Sequence, residues 1–203
     1  MISAWFVGPP ALGRALATEM AGDVDPFTIV DLDALDAQGP SGPAERTSQG
    51  PSGPAERTSN APSAVIDAVA LDRTANIGAA CEAIDQFARR EAGRPARLVR
   101  IVPLSWLGRV ADAAEAGRAA HAVASARATA LALAATATTV NVVVVPEGFP
   151  HAAPTSSTPI PDAVGPADLA HVLRYLLDPD NGYLVGQVLS VCGGDDVWGN
   201  LAF

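Results

Sequence analysis

Val140 to Val145 reads VNVVVV, a run in which a single Asn interrupts β-branched side chains on both faces of an extended segment. Such a strand has no face to give to water. It must be covered above and below by helices, which is the situation of a parallel sheet in a layered α/β protein. The chain repeats this alternation from end to end. Ile2–Val7, Phe27–Asp31, Ala64–Leu71, Arg97–Val102 and Leu184–Val191 read as further strands. Between them, Ala11–Met20, Thr74–Glu91, Val110–Ala137 and Pro166–Leu177 carry apolar residues at helical spacing, and Pro166 suits a first helical turn. With 203 residues, 49% of them apolar and only 5% aromatic, Ala, Val and Leu have to fill the interior of a single domain spanning 1–203. The expected fold is a doubly wound, Rossmann-like or flavodoxin-like three-layer α/β sandwich whose mainly parallel sheet has about six strands.

One segment stands apart. Gln38 to Ser48 reads QGPSGPAERTS, and Gln49 to Ser59 repeats it letter for letter. A Gly/Pro/Ser-rich unit without an apolar ridge can neither build a core nor stack as a solenoid, so 38–59 is expected to be a disordered insert in a surface loop.

Charge and composition exclude several functions. A net charge of −9 offers no basic field for nucleic acid or an anionic membrane. The apolar window Ala130–Val145 is shorter than a membrane span of about 20 residues and is broken by Thr136, Thr138, Thr139 and Asn141. The opening MISAWFVGPP lacks the cationic start of a secretory signal. Cys81 and Cys192 have no metal-binding or redox spacing and read as buried, reduced thiols of a cytoplasmic protein. All 13 cationic side chains are Arg. The missing lysine removes a P-loop, a Schiff base and any Tyr/Lys pair together.

Ala128–Gly148, ATALALAATATTVNVVVVPEG, resembles the helix-then-strand passage of short-chain dehydrogenases/reductases, which ends in VNxVxPG. Pro166–Gly194, PADLAHVLRYLLDPDNGYLVGQVLSVCGG, resembles the closing helix and strand of the same family, and VGPPALGRALA is a fainter echo of its first strand and helix. The middle departs from the pattern. The chain is short for the family, Asp67–Asp72 stands where an Asn-Asn-Ala-Gly strand end belongs, and one strand–helix unit is missing.

The resemblance implies a tyrosine that exchanges the substrate proton, a lysine one helical turn later that lowers its pKa, and a serine that steadies the carbonyl oxygen. Counted back from Asn141, the tyrosine position falls near Glu115 and the lysine position near Ala119. The serine position falls on Pro103, with Ser105 close by. Tyr175 and Tyr183 lie beyond the strand that should follow the catalytic helix. A phenol without a neighbouring cation keeps a pKa near 10 and is a poor acid–base at neutral pH, so no catalytic residue is assigned. The Gly-rich cofactor loop is degenerate too. Gly8 and Gly13 are one residue too close, the middle glycine is gone, and Pro9 and Pro10 have no N–H to offer a pyrophosphate. Asp31 ends its strand where an acid would hold an adenosine ribose and favour NAD over NADP. The remnant cofactor set is therefore Gly8, Gly13 and Asp31. The expectation is no cofactor, or NAD(H) if the cleft still binds.

His121, on the long helix, reads either as a substitute acid–base or as a partly exposed helix residue without an ionisable partner. His151 follows PEGFP at the strand edge where ligands bind in such sheets. Trp106 and Trp198 read as core or interface fillers, and adjacent Asp195 and Asp196 make no metal site. Three functions follow from the resemblance. The first is an inactive subunit that partners an active short-chain reductase, or a second copy of itself, through 110–137 and the C-terminal helix and strand. Its pathway would handle acyl-CoA or 3-oxoacyl-type substrates. The second is an active NAD(P)-dependent or cofactor-independent enzyme with a non-standard site. The third is a small-molecule sensor.

Overall fold

The computed structural model describes residues 2–30, 63–90, 96–107, 112–150 and 163–194. In chain order these form β1 (Ile2–Val7), α1 (Pro10–Glu19), β2 (Val24–Val30), β3 (Ala64–Asp67), α2 (Ile77–Arg90) and β4 (Arg97–Pro103). They continue with α3 (Ala113–Ala132), β5 (Thr139–Val145), α4 (Pro166–Leu177) and β6 (Val188–Ser190). The strands make one six-stranded sheet in the order β2-β1-β3-β4-β5-β6, and all five ladders are parallel. The expected three-layer sandwich is the observed one. The repeat insert 38–59 lies outside the described residues.

Strand alternation sorts the core into two layers. Trp5, Val65, Leu98, Val102, Val140, Val142 and Val144 face α2 and α3, where Ile84, Phe87, Ala122, Val123 and Ala126 meet them. On the other face Phe6, Ile66, Val99, Ile101, Val143 and Val145 pack against Leu12 and Leu16 of α1 and Leu169, Leu173 and Leu176 of α4. Central strands buried on both sides are why VNVVVV carries no polar alternation. Its one amide is used: Asn141 Nδ2 donates to the Leu184 carbonyl at 2.8 Å, and its Oδ1 accepts from Gln187 N at 3.1 Å. This side chain ties the approach to β6 onto β5.

Two expected strands were too long. Ala64–Leu71 stops pairing at Asp67, whose carboxylate accepts the Val69 N–H at 3.1 Å and turns the chain into a 3-10 segment over Val69–Leu71. Leu184–Val191 is a ladder only over Val188–Ser190, because Gly186 takes a positive φ of 70° just before it. The long helix is also shorter than 110–137. Asp112 caps its start, accepting from Ala114 N at 2.9 Å and Glu115 N at 3.3 Å.

A charged cluster sits inside the α2–α3 layer. Arg100, in the middle of β4 and wholly buried, donates from Nε to Asp67 Oδ2 at 2.5 Å and from Nη2 to Asp85 Oδ1 on α2 at 3.2 Å. Its Nη1 donates to the Ala122 carbonyl on α3 at 3.2 Å, and Ser125 Oγ donates to Asp85 Oδ2 at 2.5 Å. One guanidinium therefore joins two strands and two helices. Replacing it with Met should leave two carboxylates uncompensated and lower the unfolding free energy by about 3–5 kcal/mol. Urea titration of Arg100→Met against wild type measures that loss.

Candidate functional site

The chain leaves β1 outward to β2 and then crosses back to β3 on its other side. A crevice therefore opens where the two connections diverge, at the carboxyl ends of β1 and β3. It encloses about 230 Å³ between residues 7–10, Val30 at the end of β2, and Val69, Asp72 and Ala75 beyond β3.

Backbone packing governs its floor. Ala68 N donates to the Val7 carbonyl at 2.7 Å, and a Cβ on Gly8 (φ +147°) would meet the Ala68 carbonyl carbon at 2.9 Å. Gly8 lets the ends of β1 and β3 touch. Gly13 plays a different part. Its Cβ would lie 2.7 Å from the Phe6 ring and 3.0 Å from Ile29, so it permits α1 to lie close against the sheet and does not line the crevice. Asp31, the third expected cofactor residue, lies outside the described residues.

At the head of α1, where the resemblance would place a dinucleotide's pyrophosphate, two successive residues are prolines. Helix α1 begins without a side-chain cap at Pro9 and with Pro10 in its first turn, so neither residue supplies an N–H to an anion. Among the described lining residues, the charged group is the Asp72 carboxylate. Asp72 Oδ1 accepts from Thr74 Oγ1 at 2.7 Å and Thr74 N at 2.8 Å, and these bonds hold its pKa below the ordinary value.

Next to the crevice, the positions that the resemblance assigned to catalysis are engaged in internal contacts. Glu115, near the expected tyrosine position, pairs with Arg73 at 2.8 Å. Ala119, near the expected lysine position, is buried. Arg118, between them on α3, donates to the carbonyls of Ala75 at 2.6 Å and Asp72 at 2.7 Å, tying the helix to the turn after β3. Pro103 is the last residue of β4. Ser105 is buried, with its backbone N–H on the Glu147 carboxylate and its Oγ unpartnered. The tyrosines belong to the opposite edge of the sheet. Arg97, at the start of β4, donates to the Pro179 carbonyl at 2.9 Å, which places the 179–183 turn there, and Tyr175 and Tyr183 are both exposed.

His121, exposed on α3, is one of the residues around an open recess of about 540 Å³ between α2 and α3, which Glu82, Asp85 and Arg89 of α2 also line. His151, Asp195, Asp196 and Trp198 lie outside the described residues. Trp106 is partly buried against the α2–α3 core with its Nε1 unpartnered. No cluster of three or more His, Cys, Asp or Glu able to hold a metal occurs among the described residues, and no helix there is long and apolar enough to cross a membrane.

Solved structures with this architecture carry reductase and dehydrogenase names. A short-chain dehydrogenase/reductase from Serratia marcescens superposes with a TM-score of 0.67 at 18% identity, covering 96% of this chain and 97% of that one. Acetoin dehydrogenase from Enterobacter cloacae gives 0.67 at 16% identity over 100% and 98% of the two chains. An actinorhodin polyketide ketoreductase variant, solved with NADPH, gives 0.67 at 18% identity over 96% and 97%. No family profile matches the sequence, and no curated protein does. The chain therefore has the fold of these solved reductases and dehydrogenases, an α/β Rossmann-like fold.

Burial pushes the Cys81 thiol up to about 11, with the Arg100 charge pulling the other way. At pH 8 its alkylation in the native protein should run roughly a hundredfold slower than in urea. Peptide mapping after iodoacetamide treatment reads the difference.

Proposed function

We propose that this chain is a reductase-fold subunit without hydride-transfer chemistry of its own. It would serve as a structural or regulatory partner of an active short-chain dehydrogenase/reductase, or of a second copy of itself, in a pathway for acyl-CoA or 3-oxoacyl-type substrates. The observation that carries this reading is the occupied catalytic edge. The Arg73–Glu115 pair and the two Arg118 bonds tie α3 to the turn after β3 near the positions where a phenol and an ammonium would have to reach a substrate. Acid–base catalysis needs a group whose proton is available to the reactant. Here the cationic groups are committed to protein oxygens, and the tyrosines stand at the far edge.

Two surfaces support the association. On α3 the exposed positions include Ala113, Gly117, Ala120, Ala124 and Ala128, so a partner helix can approach closely. A Cβ on Gly117 would touch nothing within 4 Å. At the C-terminal side, Tyr175 on α4 is 47% exposed and Tyr183 is 73% exposed. Aromatic side chains of this kind are enriched in interfaces.

Light scattering on the purified chain, alone and co-expressed with intact short-chain reductases of the same organism, tests the reading. A dimer or a mixed oligomer is expected, and Ala124→Arg should raise its dissociation constant by at least about tenfold, equivalent to about 1.4 kcal/mol. A chain that stays monomeric with every such partner would sink the reading. So would oxidation of an alcohol with NAD(P)+ by the chain alone.

A further inference from the structure

We infer that two copies of this chain pair through the α2–α3 face, with like helices antiparallel about a two-fold axis at the height of Ala124 and Asp85. The inference rests on the subunit reading for the association itself and commits to a second copy as the partner. Both helices cross over between parallel strands, α2 from β3 to β4 and α3 from β4 to β5, so they run in the same direction. The bond from Ser125 Oγ to Asp85 Oδ2 sets the middles of the two helices level with each other. Rotation about an axis across that level exchanges the ends of each helix. The face must therefore be complementary to itself, end for end.

Both helices meet that requirement. On α2, Glu82 and Arg89 are exposed on one side of the helix, two turns apart. The rotation carries Arg89 of the second copy to within one residue's rise, about 1.5 Å, of the height of Glu82. The opposite-charge contact is then made twice. Asp85 is taken up by Arg100 and Ser125, which leaves Glu82 as the acid facing outward; its contact with Gln86 Nε2 at 3.2 Å is an exposed one within its own helix. On α3, Leu131 is 79% exposed, the most exposed large apolar side chain among the described residues. The same rotation sets it against Gly117 of the second copy, where a Cβ would touch nothing within 4 Å. Gly117, Ala124 and Leu131 are exposed at heptad spacing. A projecting side chain thus meets a notch at each end, and the small residues between them let the two helices close.

Sedimentation of the full-length protein should show a dimer. Glu82→Arg places Arg against Arg across the axis, and Arg89→Glu places Glu against Glu, so each should raise the dissociation constant at least about tenfold. Mixed in equal amounts, the two single variants should form a heterodimer within about threefold of the wild-type affinity, because every such contact then joins opposite charges. Leu131→Ser should weaken the dimer without touching a charge. All three positions are exposed, and an unchanged far-ultraviolet circular dichroism spectrum shows that each variant is folded. Charge variants that associate like the wild type overturn the proposal, as does a mixture no tighter than its components. A wild-type chain that is monomeric alone overturns it too; if that monomer still binds an intact reductase, the subunit reading stands without this pairing. Should the charge exchange succeed while the chain alone oxidises an alcohol, the pairing stands and the subunit reading falls.

Discussion

A single buried guanidinium holds the α2–α3 half of this molecule in register. Arg100 lies in a strand that is covered on both faces, where an unpaired charge would be intolerable. It is matched by Asp67 from the neighbouring strand, by Asp85 from α2 and by a helix carbonyl from α3. Burial pushes the Asp67 carboxyl above its ordinary value, and the adjacent Arg100 charge pulls it back. The same Asp67 takes the Val69 N–H and thereby ends β3, so the cluster that fastens the helices also shapes one wall of the crevice.

That wall lies in the crevice that this fold opens at the ends of β1 and β3. Strand order alone creates it. What an opening binds depends on the groups that face it. Pro9 and Pro10 offer no N–H at the head of α1, and the Asp72 carboxylate lines the same crevice. The glycines that look like relics of a cofactor loop answer to packing, Gly8 against Ala68 and Gly13 against Phe6 and Ile29. Glycine in such a loop records close approach of atoms, whether those atoms belong to a ligand or to the protein.

Much of the architecture was legible because burial leaves a one-dimensional trace. Strands covered on both faces must be apolar throughout, helices covering them must be apolar on one side, and both patterns survive in the linear order of residues. Element ends were less legible. Asp67 and Gly186 stop their strands by local hydrogen bonding and backbone conformation, which a run of apolar residues does not reveal. For the site, the lack of lysine and the two prolines could be read directly, and Asp72 could not. Nothing in its neighbours along the chain says that it will face Pro9 and Pro10 across a crevice.

The amino-acid sequence by itself determined the layered α/β class, the succession of strands and helices, and which chemical groups are available at all, since composition and periodicity are properties of the chain. Only the tertiary structure decided that Arg100, Asp67, Asp85 and Ser125 form one network and that His121 shares a recess with Asp85. It likewise decided that Arg73 and Arg118 are committed to Glu115 and to backbone carbonyls. Each of those meetings joins residues from different elements, and the pairing of charges across elements is set by how the sheet and helices pack, a three-dimensional fact with no counterpart in spacing along the chain.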